Sequence, residues 1–451
     1  MDFLVIGGGL AGILSASILG EDYRVLVVEK KPIEDLGRDI WILIDEGSLR
    51  NLEKFGLDLN QLDVDIYDEI QVHDANGRVL LEYSYPLAVV ELRKLYKTLI
   101  ENLEVKLKDK SEVLESLVEK DRIRKIKIAN KKSEVVHTNF LIDASGLSFH
   151  ISKKSIAEER YRLYTHNVFR FFQGMFLDAY GNIDKSMLHL TICDISTPGG
   201  FSWAFIVRDR AYVMGFHNEY LSSVISPEQR VNIIRNSLGI FGRFSRVHQW
   251  RVLMGHPMIN PTYKNVFVVG MANLSIYPLF TSGIGYNSVQ TSDLAKTIID
   301  VLDSETELDN VSYRYSIAYL RKHIHRGVLN DILRLLLLGM RSYQIEGIAC
   351  MVLELMSIMS KSLRASINHS LLMELVTELL SDVGLTKRIQ RIANMIIELY
   401  KVYERIPKNI GELIKDAIRF NAVYDKKVGE ILNKQLCERI SLTKFLASVS
   451  F

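Results

Sequence analysis

The sequence predicts an α/β fold: a parallel sheet wound by helices, an antiparallel β-sheet domain, and a helical C-terminal module. Three observations predict it. The first thirty residues read as strand, glycine turn, helix and strand. Two later apolar strands, Phe140 to Asp143 and Val266 to Val269, each run into a small-residue or glycine turn. Between Ser152 and His256 the pattern changes to alternating strands rich in aromatics, and beyond Ser304 to apolar residues at three- and four-residue spacing.

In the opening stretch, Asp2 to Ile6 is an apolar run of the kind that forms a buried parallel strand. Gly7, Gly9 and Gly12 occupy the three positions of a G-x-G-x-x-G turn, with Ala11 inside it. Gly7 permits the tight turn, Gly9 lets the backbone approach a pyrophosphate, and Gly12 lets helix and strand pack closely. The helix from Ile13 to Leu19 offers its free N–H groups and partial positive charge to phosphates. Arg24 to Val28 is the second strand and ends at Glu29, 17 residues after Gly12. A carboxylate there accepts hydrogen bonds from a ribose diol and repels a 2′-phosphate. Dinucleotide binding follows, with adenosine lacking that phosphate.

Composition narrows the class. At 451 residues, 48% hydrophobic and 24% charged, the chain suits a globular protein of two or three domains. A net charge of +2 makes no electrostatic case for nucleic acid. The 3 cysteines, Cys193, Cys350 and Cys437, form no C-x-x-C pair, so neither a disulfide framework nor a zinc site is expected. A Cys350–Cys437 bridge stays open. Leu335 to Met340, closed off by Arg334 and Arg341, falls far short of the roughly 20 residues that span a bilayer. With the first strand starting at residue 2, a cytoplasmic protein is expected.

Taken in order, Arg38 follows the second strand and either reaches a phosphate or is a solvated loop residue. Ile40 to Ile44 leads into a helical stretch ending at Leu57. Glu69 to His73 and Arg78 to Tyr83 are strands joined by an Asn76-Gly77 turn. Val90 to Arg93 opens a helix through Asn102, and Val105–Leu107, Val113–Val118 and Ile123–Ile128 read as another antiparallel set. Phe140 to Gly146 is a strand that returns beside a bound ligand. Val168–Phe176, Met187–Cys193, Phe201–Val207 and Ala211–Asn218 form the antiparallel sheet, followed by a helix from Pro227 to Leu238 capped by Ser226. The strand at Val266 leads through Pro278 and Gly283 to a helix from about Tyr286 to Leu302.

The glycine turn with Glu29, the strand ending Asp143-Ala144-Ser145-Gly146, and the block from Val266 to Gly285 resemble FAD-dependent oxidoreductases of the aromatic hydroxylase and geranylgeranyl reductase group. The resemblance covers residues 2–305. It implies a Rossmann-type FAD-binding domain over residues 1–150 with inserted strands, an antiparallel β substrate domain over 151–260, a return to the FAD-binding domain over 261–305, and an α-helical C-terminal module over 306–451. It places Gly7, Gly9, Ala11, Gly12 and Glu29 on the ADP half of FAD, and Asp143 and Gly146 beside the pyrophosphate. Arg38 and Arg93 match arginines set on the flavin nucleotide, and Val113 matches a backbone contact to adenine. The group's Val-Gly-Asp-Ala and Pro-x-x-x-x-Gly-x-Gly signatures stand here as Val269-Gly270-Met271-Ala272 and as Pro278 followed by Gly283, Ile284 and Gly285.

Pro198-Gly199-Gly200-Phe201-Ser202-Trp203-Ala204-Phe205 is similar to the substrate-sheet segment of geranylgeranyl reductases. The implied reaction is saturation of isoprenoid double bonds by hydride from reduced flavin. Phe201, Trp203, Tyr277 and Phe280 are the first candidates for the substrate wall, with Phe205 and Phe216 beside them; ordinary sheet core is the competing account. His189 is a candidate proton donor or a structural histidine. The chain departs from the pattern at Met271, where the group has an Asp that bonds the ribityl chain, at Ile206, where reductases have proline, and near Gly37, which lacks a cysteine. A flavin monooxygenase acting on a small or lipid substrate and a non-catalytic flavoprotein scaffold are the alternatives. The electron donor is NAD(P)H or a ferredoxin. The helical C-terminus, with Lys322, His323, His325 and Arg326 ahead of Leu333 to Met340, packs or oligomerises, or makes a lipid tunnel or peripheral membrane contact.

Overall fold

Strands that are apolar at every position need cover on both faces, and the first sheet supplies it. β1 (Phe3–Ile6), β2 (Val25–Val28) and β10 (Phe140–Asp143) are buried at every residue. They pair in parallel, with Ile6 opposite both Val28 and Asp143. β6 (Lys106–Lys108), β16 (Thr262–Tyr263) and β17 (Val266–Val268) complete a six-stranded sheet in the order β16-β17-β10-β1-β2-β6. The computed structural model describes residues 1–119, 122–130, 132–146, 168–181, 183–193, 195–219, 221, 225–255, 261–273, 283–304, 311–316, 318–319 and 323.

The helices are α1 (Leu10–Gly20), α2 (Glu46–Leu52), α3 (Leu92–Glu101), α4 (Pro227–Ser237) and α5 (Gly283–Asp303). On one face of the parallel sheet, Phe3, Val5 and Ile142 pack with Ala16 of α1 and with Leu294 and Ile298 of α5. On the other, Leu4, Ile6 and Val28 meet Val113, Ile126 and Ile128. Those residues belong to a three-stranded sheet of β7 (Glu112–Glu119), β8 (Arg122–Ala129) and β9 (Ser133–His137). The expected antiparallel set is thus corrected at one member. Lys106–Lys108 leaves it for the parallel sheet, where Leu107 stands opposite Val27. A three-residue apolar piece carries no signal of strand direction.

The second sheet has eight strands in the order β15-β11-β14-β13-β12-β4-β5-β3. Two stretches of chain build it. β3 (Trp41–Asp45), β4 (Val64–His73) and β5 (Val79–Glu91) come from the first, and their hairpin turns at Gly77, where φ is +83°. β11 (Val168–Gly181), β12 (Leu188–Thr191), β13 (Ser202–Val207), β14 (Arg210–Asn218) and β15 (Ile240–Leu253) come from the second. The join, β12 on β4, is parallel, so the sheet is not antiparallel throughout. β15 was not legible in the sequence, because this edge strand exposes Phe241, Arg243, Phe244 and Ser245 and so lacks an alternating apolar face. α4 backs the sheet through Val231 and Ile234. Its start matches the expectation, with Pro227 in the first turn and a reciprocal cap between Ser226 and Gln229.

α5 begins at Gly283, earlier than the spacing suggested. Cys193 is buried and free. Cys350, Cys437, Lys322, His325, Arg326 and the chain beyond residue 323 lie outside the described residues, while His323 is buried with its Nε2 2.9 Å from Asp293 Oδ2. No helix among the described residues is long and apolar enough to cross a membrane.

Two buried histidines hold the β4–β12 join. His73 Nε2 lies 3.0 Å from His189 Nδ1, while His73 Nδ1 contacts Gly77 O at 3.0 Å and His189 Nε2 contacts Asp184 O at 2.8 Å. Burial lowers the pKa of both, and lowers that of His217 on β14 from 6.5 to about 3, with the Arg230 charge adding to the shift. The folded chain thus resists protons that the unfolded chain accepts below pH 6.5. Stability must therefore fall as pH falls through that window. His217 alone accounts for a loss on the order of 1–2 kcal/mol between pH 6.5 and pH 5. Denaturant melts over that range should show a shallower loss for His217→Gln than for the wild type.

Candidate functional site

The site opens where the parallel strands end, at the turn between β1 and α1. Gly7 has φ +102°, and a Cβ there would lie 2.4 Å from Ala144 O, so only glycine lets the turn pass under the end of β10. A Cβ on Gly12 would fall 1.9 Å from Gly7 O, which brings α1 directly onto the turn. Gly9 differs: a Cβ there would meet nothing within 4 Å. Its backbone faces open space. Glu29, 8% exposed, accepts from Gly8 N–H at 2.7 Å and Lys31 N–H at 2.9 Å. A carboxylate has about four lone-pair positions, so roughly two remain for a ligand.

That open space belongs to a cavity of about 450 Å³. Gly7, Gly9, Ala11 and Glu29 line it, together with Ala144, Ser145 and Gly146 and with Met271, Gly283 and Ile284. Phe171, Met214 and Trp250 of the eight-stranded sheet give it an apolar wall. A smaller cleft of about 40 Å³ continues past Glu29 to Ser111 and Val113 and shares Gly7 and Ser145 with the first. The structure thus brings Gly7, Gly9, Ala11, Glu29, Arg38, Gly146, Met271, Gly283 and Ile284, all singled out in the sequence, to one cavity.

Several of them stand elsewhere. Asp143 is fully buried and turns back on its own loop, accepting from Ser145 N–H at 3.1 Å and Ser145 Oγ at 2.6 Å. Gly12, Gly270 and Gly285 act through packing. A Cβ on Gly270 would sit 2.7 Å from Ala11 Cβ, and one on Gly285 1.9 Å from Ser48 Oγ. Arg38, by contrast, does line the cavity; there its Nη1 donates to Gln249 O at 3.3 Å and its guanidinium lies 5.9 Å from the Trp250 ring centre. Arg93 is exposed on α3; Leu92 and Tyr96 line the cavity instead. Phe201 and Trp203 are buried in the sheet, edge-on to each other at 5.7 Å, with Phe201 also 4.7 Å from Phe216, and neither lines the cavity. For these two the sheet-core account holds. His189, with both ring nitrogens engaged, is also away from it. Tyr277, Pro278 and Phe280 lie outside the described residues.

Sequence reasoning missed Tyr96, Asn287 and the wall of Phe171, Met214 and Trp250. Asn287 could have been found from its place two residues after the Gly283-Ile284-Gly285 that opens α5. The wall residues carry no local signal, because only the sheet's curvature selects them. That curvature is held by Gln173 of β11, whose Oε1 accepts Trp41 N–H at 2.8 Å and whose Nε2 donates to Trp41 O at 2.7 Å. One side-chain amide thus fastens the β3 edge across to β11. An ion pair of Arg246 with Asp39 holds the same segment.

Whether these residues suit a dinucleotide is testable on the chain itself. Asn287 lines the cavity, and its Oδ1 is buried with no hydrogen-bond partner among the described residues. A buried acceptor left open costs on the order of 1–3 kcal/mol, which any donor brought to it would offset. Gly9 leaves a backbone cradle that any side chain would fill, and Glu29 keeps acceptor capacity. The three together fit a group with a ribose, phosphates and a ring N–H.

No family model matches this chain, and no curated protein matches it. Solved structures do. A geranylgeranyl bacteriochlorophyll reductase-like protein from Thermoplasma acidophilum is 16% identical, with a TM-score of 0.68 over 87% of this chain and 98% of that one. PqsL from Pseudomonas aeruginosa, named a probable FAD-dependent monooxygenase, was solved with 2-aminobenzoylacetate. It is 17% identical, with a TM-score of 0.60 over 78% of this chain and 99% of that one. A flavin-dependent brominase is 13% identical, with a TM-score of 0.61 over 90% of this chain and 99% of that one. The chain shares the mixed α/β fold of these proteins.

Proposed function

We propose that the chain is an FAD-dependent oxidoreductase that saturates double bonds of a prenyl or other isoprenoid lipid. The observation that carries the reading is the one cavity lined by Gly9, Glu29 and Asn287 together with the apolar Phe171, Met214 and Trp250. FAD, when bound, supplies hydride transfer, a chemistry that side chains lack. The chain's own residues bind, orient and exclude water. Glu29 takes the adenosine ribose and the N-terminus of α1 takes the phosphates. Asn287 accepts from a ring N–H, and the first turn of α5, at Gly283 and Ile284, sets its partial positive charge against the same ring. Met271 offers no acceptor to the ribityl chain, so that contact is apolar.

The aromatic end holds the substrate. Phe171 stacks on Trp250 at 5.6 Å, which gives a flat apolar face suited to an unsaturated hydrocarbon chain. The proton that completes saturation comes from solvent or a nearby side chain. The electron donor is NAD(P)H or a ferredoxin. A second reading, hydroxylation of a small apolar substrate with oxygen, draws on the same wall and on the likeness to PqsL.

Replacing Asn287 by Leu separates site from scaffold. Losing an unsatisfied buried acceptor should stabilise the cofactor-free chain by about 1 kcal/mol while weakening FAD about tenfold. Thermal melts without cofactor and FAD titrations read the two effects, and a variant that loses both stability and affinity would show a structural residue. Product analysis decides the reaction. Under anaerobic conditions with a chemical reductant, the FAD-loaded chain should saturate a geranylgeranyl substrate. Hydroxylated product with oxygen uptake, and none anaerobically, would replace the first reading by the second.

A further inference from the structure

α3 presents Leu92 and Tyr96, one turn apart, to the cavity. The Tyr96 hydroxyl accepts Leu10 N–H at 2.8 Å. Leu10 opens α1, whose first intrahelical bond runs from Ile13 N–H to Gly9 O at 3.0 Å. Its N–H is therefore one of those a helix leaves without a carbonyl partner and would otherwise offer to a phosphate. A phenol has one proton and two lone pairs, so accepting from Leu10 leaves the proton to donate. Among the described residues that proton has no acceptor. Gly37 gives the ring its place, since a Cβ there would lie 2.8 Å from Tyr96 Cβ. Burial pushes the phenol up to about 12, so it stays a donor.

We propose that the Tyr96 hydroxyl is a phosphate ligand of the dinucleotide, carrying the polarity of the Leu10 N–H one bond further out to a phosphate oxygen. The inference rests on the FAD reading and deepens it. It gives this chain a neutral donor on the face of α3 that meets the cavity, where Arg93, one residue after Leu92, points outward. A donor bound to a backbone N–H is polarised by it, which strengthens the bond it makes in turn. The hydroxyl also reaches farther from α1 than the backbone can.

The test compares ligands that differ in phosphate, on the full chain with Tyr96→Phe. FAD affinity should fall about 10- to 100-fold, the loss expected for a hydrogen bond to a charged group, while riboflavin affinity stays within about twofold of the wild type. ADP and adenosine should repeat the contrast. An unchanged FAD affinity would mean that the freed Leu10 N–H reaches the phosphate by itself, and riboflavin or adenosine falling in step with FAD or ADP would mean that Tyr96 only shapes the fold. Either result overturns the proposal alone. A wild-type chain that binds neither FAD nor ADP overturns the parent reading and takes this one with it.

Discussion

With Gly12 bare, α1 lies against the turn before it with no methyl group between, and a side chain there would put its Cβ 1.9 Å from Gly7 O. Much of the architecture depends on that approach. It seats Ala11 near Gly270, where a Cβ would come within 2.7 Å, and so brings the end of β17 to the start of α1. It also brings Ile13 and Leu14 into one core with Ile284 at the start of α5. Two helix N-termini then converge on one channel at the carboxyl ends of parallel strands, the general place for ligands in open α/β sheets. Their dipoles favour an anionic or electron-rich occupant there.

The second sheet answers a different need. A flat eight-stranded sheet would leave its facing side open to water, and here Gln173 folds the β3 edge across to β11 through two bonds to Trp41. Trp41 in turn lies 5.6 Å from Tyr212. The loop before β3 thereby becomes a wall of the channel, with Gly37, Arg38 and Ile40 facing inward. The same device sets the Arg38 guanidinium, which lines the channel, 5.9 Å from the Trp250 ring centre. It is held by the sheet it closes.

Local signals were legible in the sequence and relational ones were not. The glycine turn could be read because each glycine answers a steric demand within a few residues, and the capping of α4 because Ser226 and Gln229 meet within one turn. β1, β2 and β10 could be read because full burial leaves unbroken apolar runs. Which face of α3 meets the cavity depends on where α1 lies, so the choice between Arg93 and the Leu92–Tyr96 pair was hidden. Likewise, Phe201 and Trp203 are aromatics in the right sheet, but Phe171, Met214 and Trp250 belong to the part that the curvature turns inward. Helical periodicity after Ser304 speaks of elements and not of their placement.

The central claim is that the open space at Gly9 is a cofactor cradle. Gly9 has an ordinary φ of −67°, and nothing lies within 4 Å of its missing Cβ. A large side chain there should leave the fold intact and fill the cradle. Titration of the full chain with FAD, followed by flavin absorbance, tests this directly. The wild type should take up one FAD per chain, and Gly9→Phe, with an unchanged thermal melt, should take up none. A wild type that stays colourless, or a Gly9→Phe variant that binds FAD as the wild type does, would contradict the account.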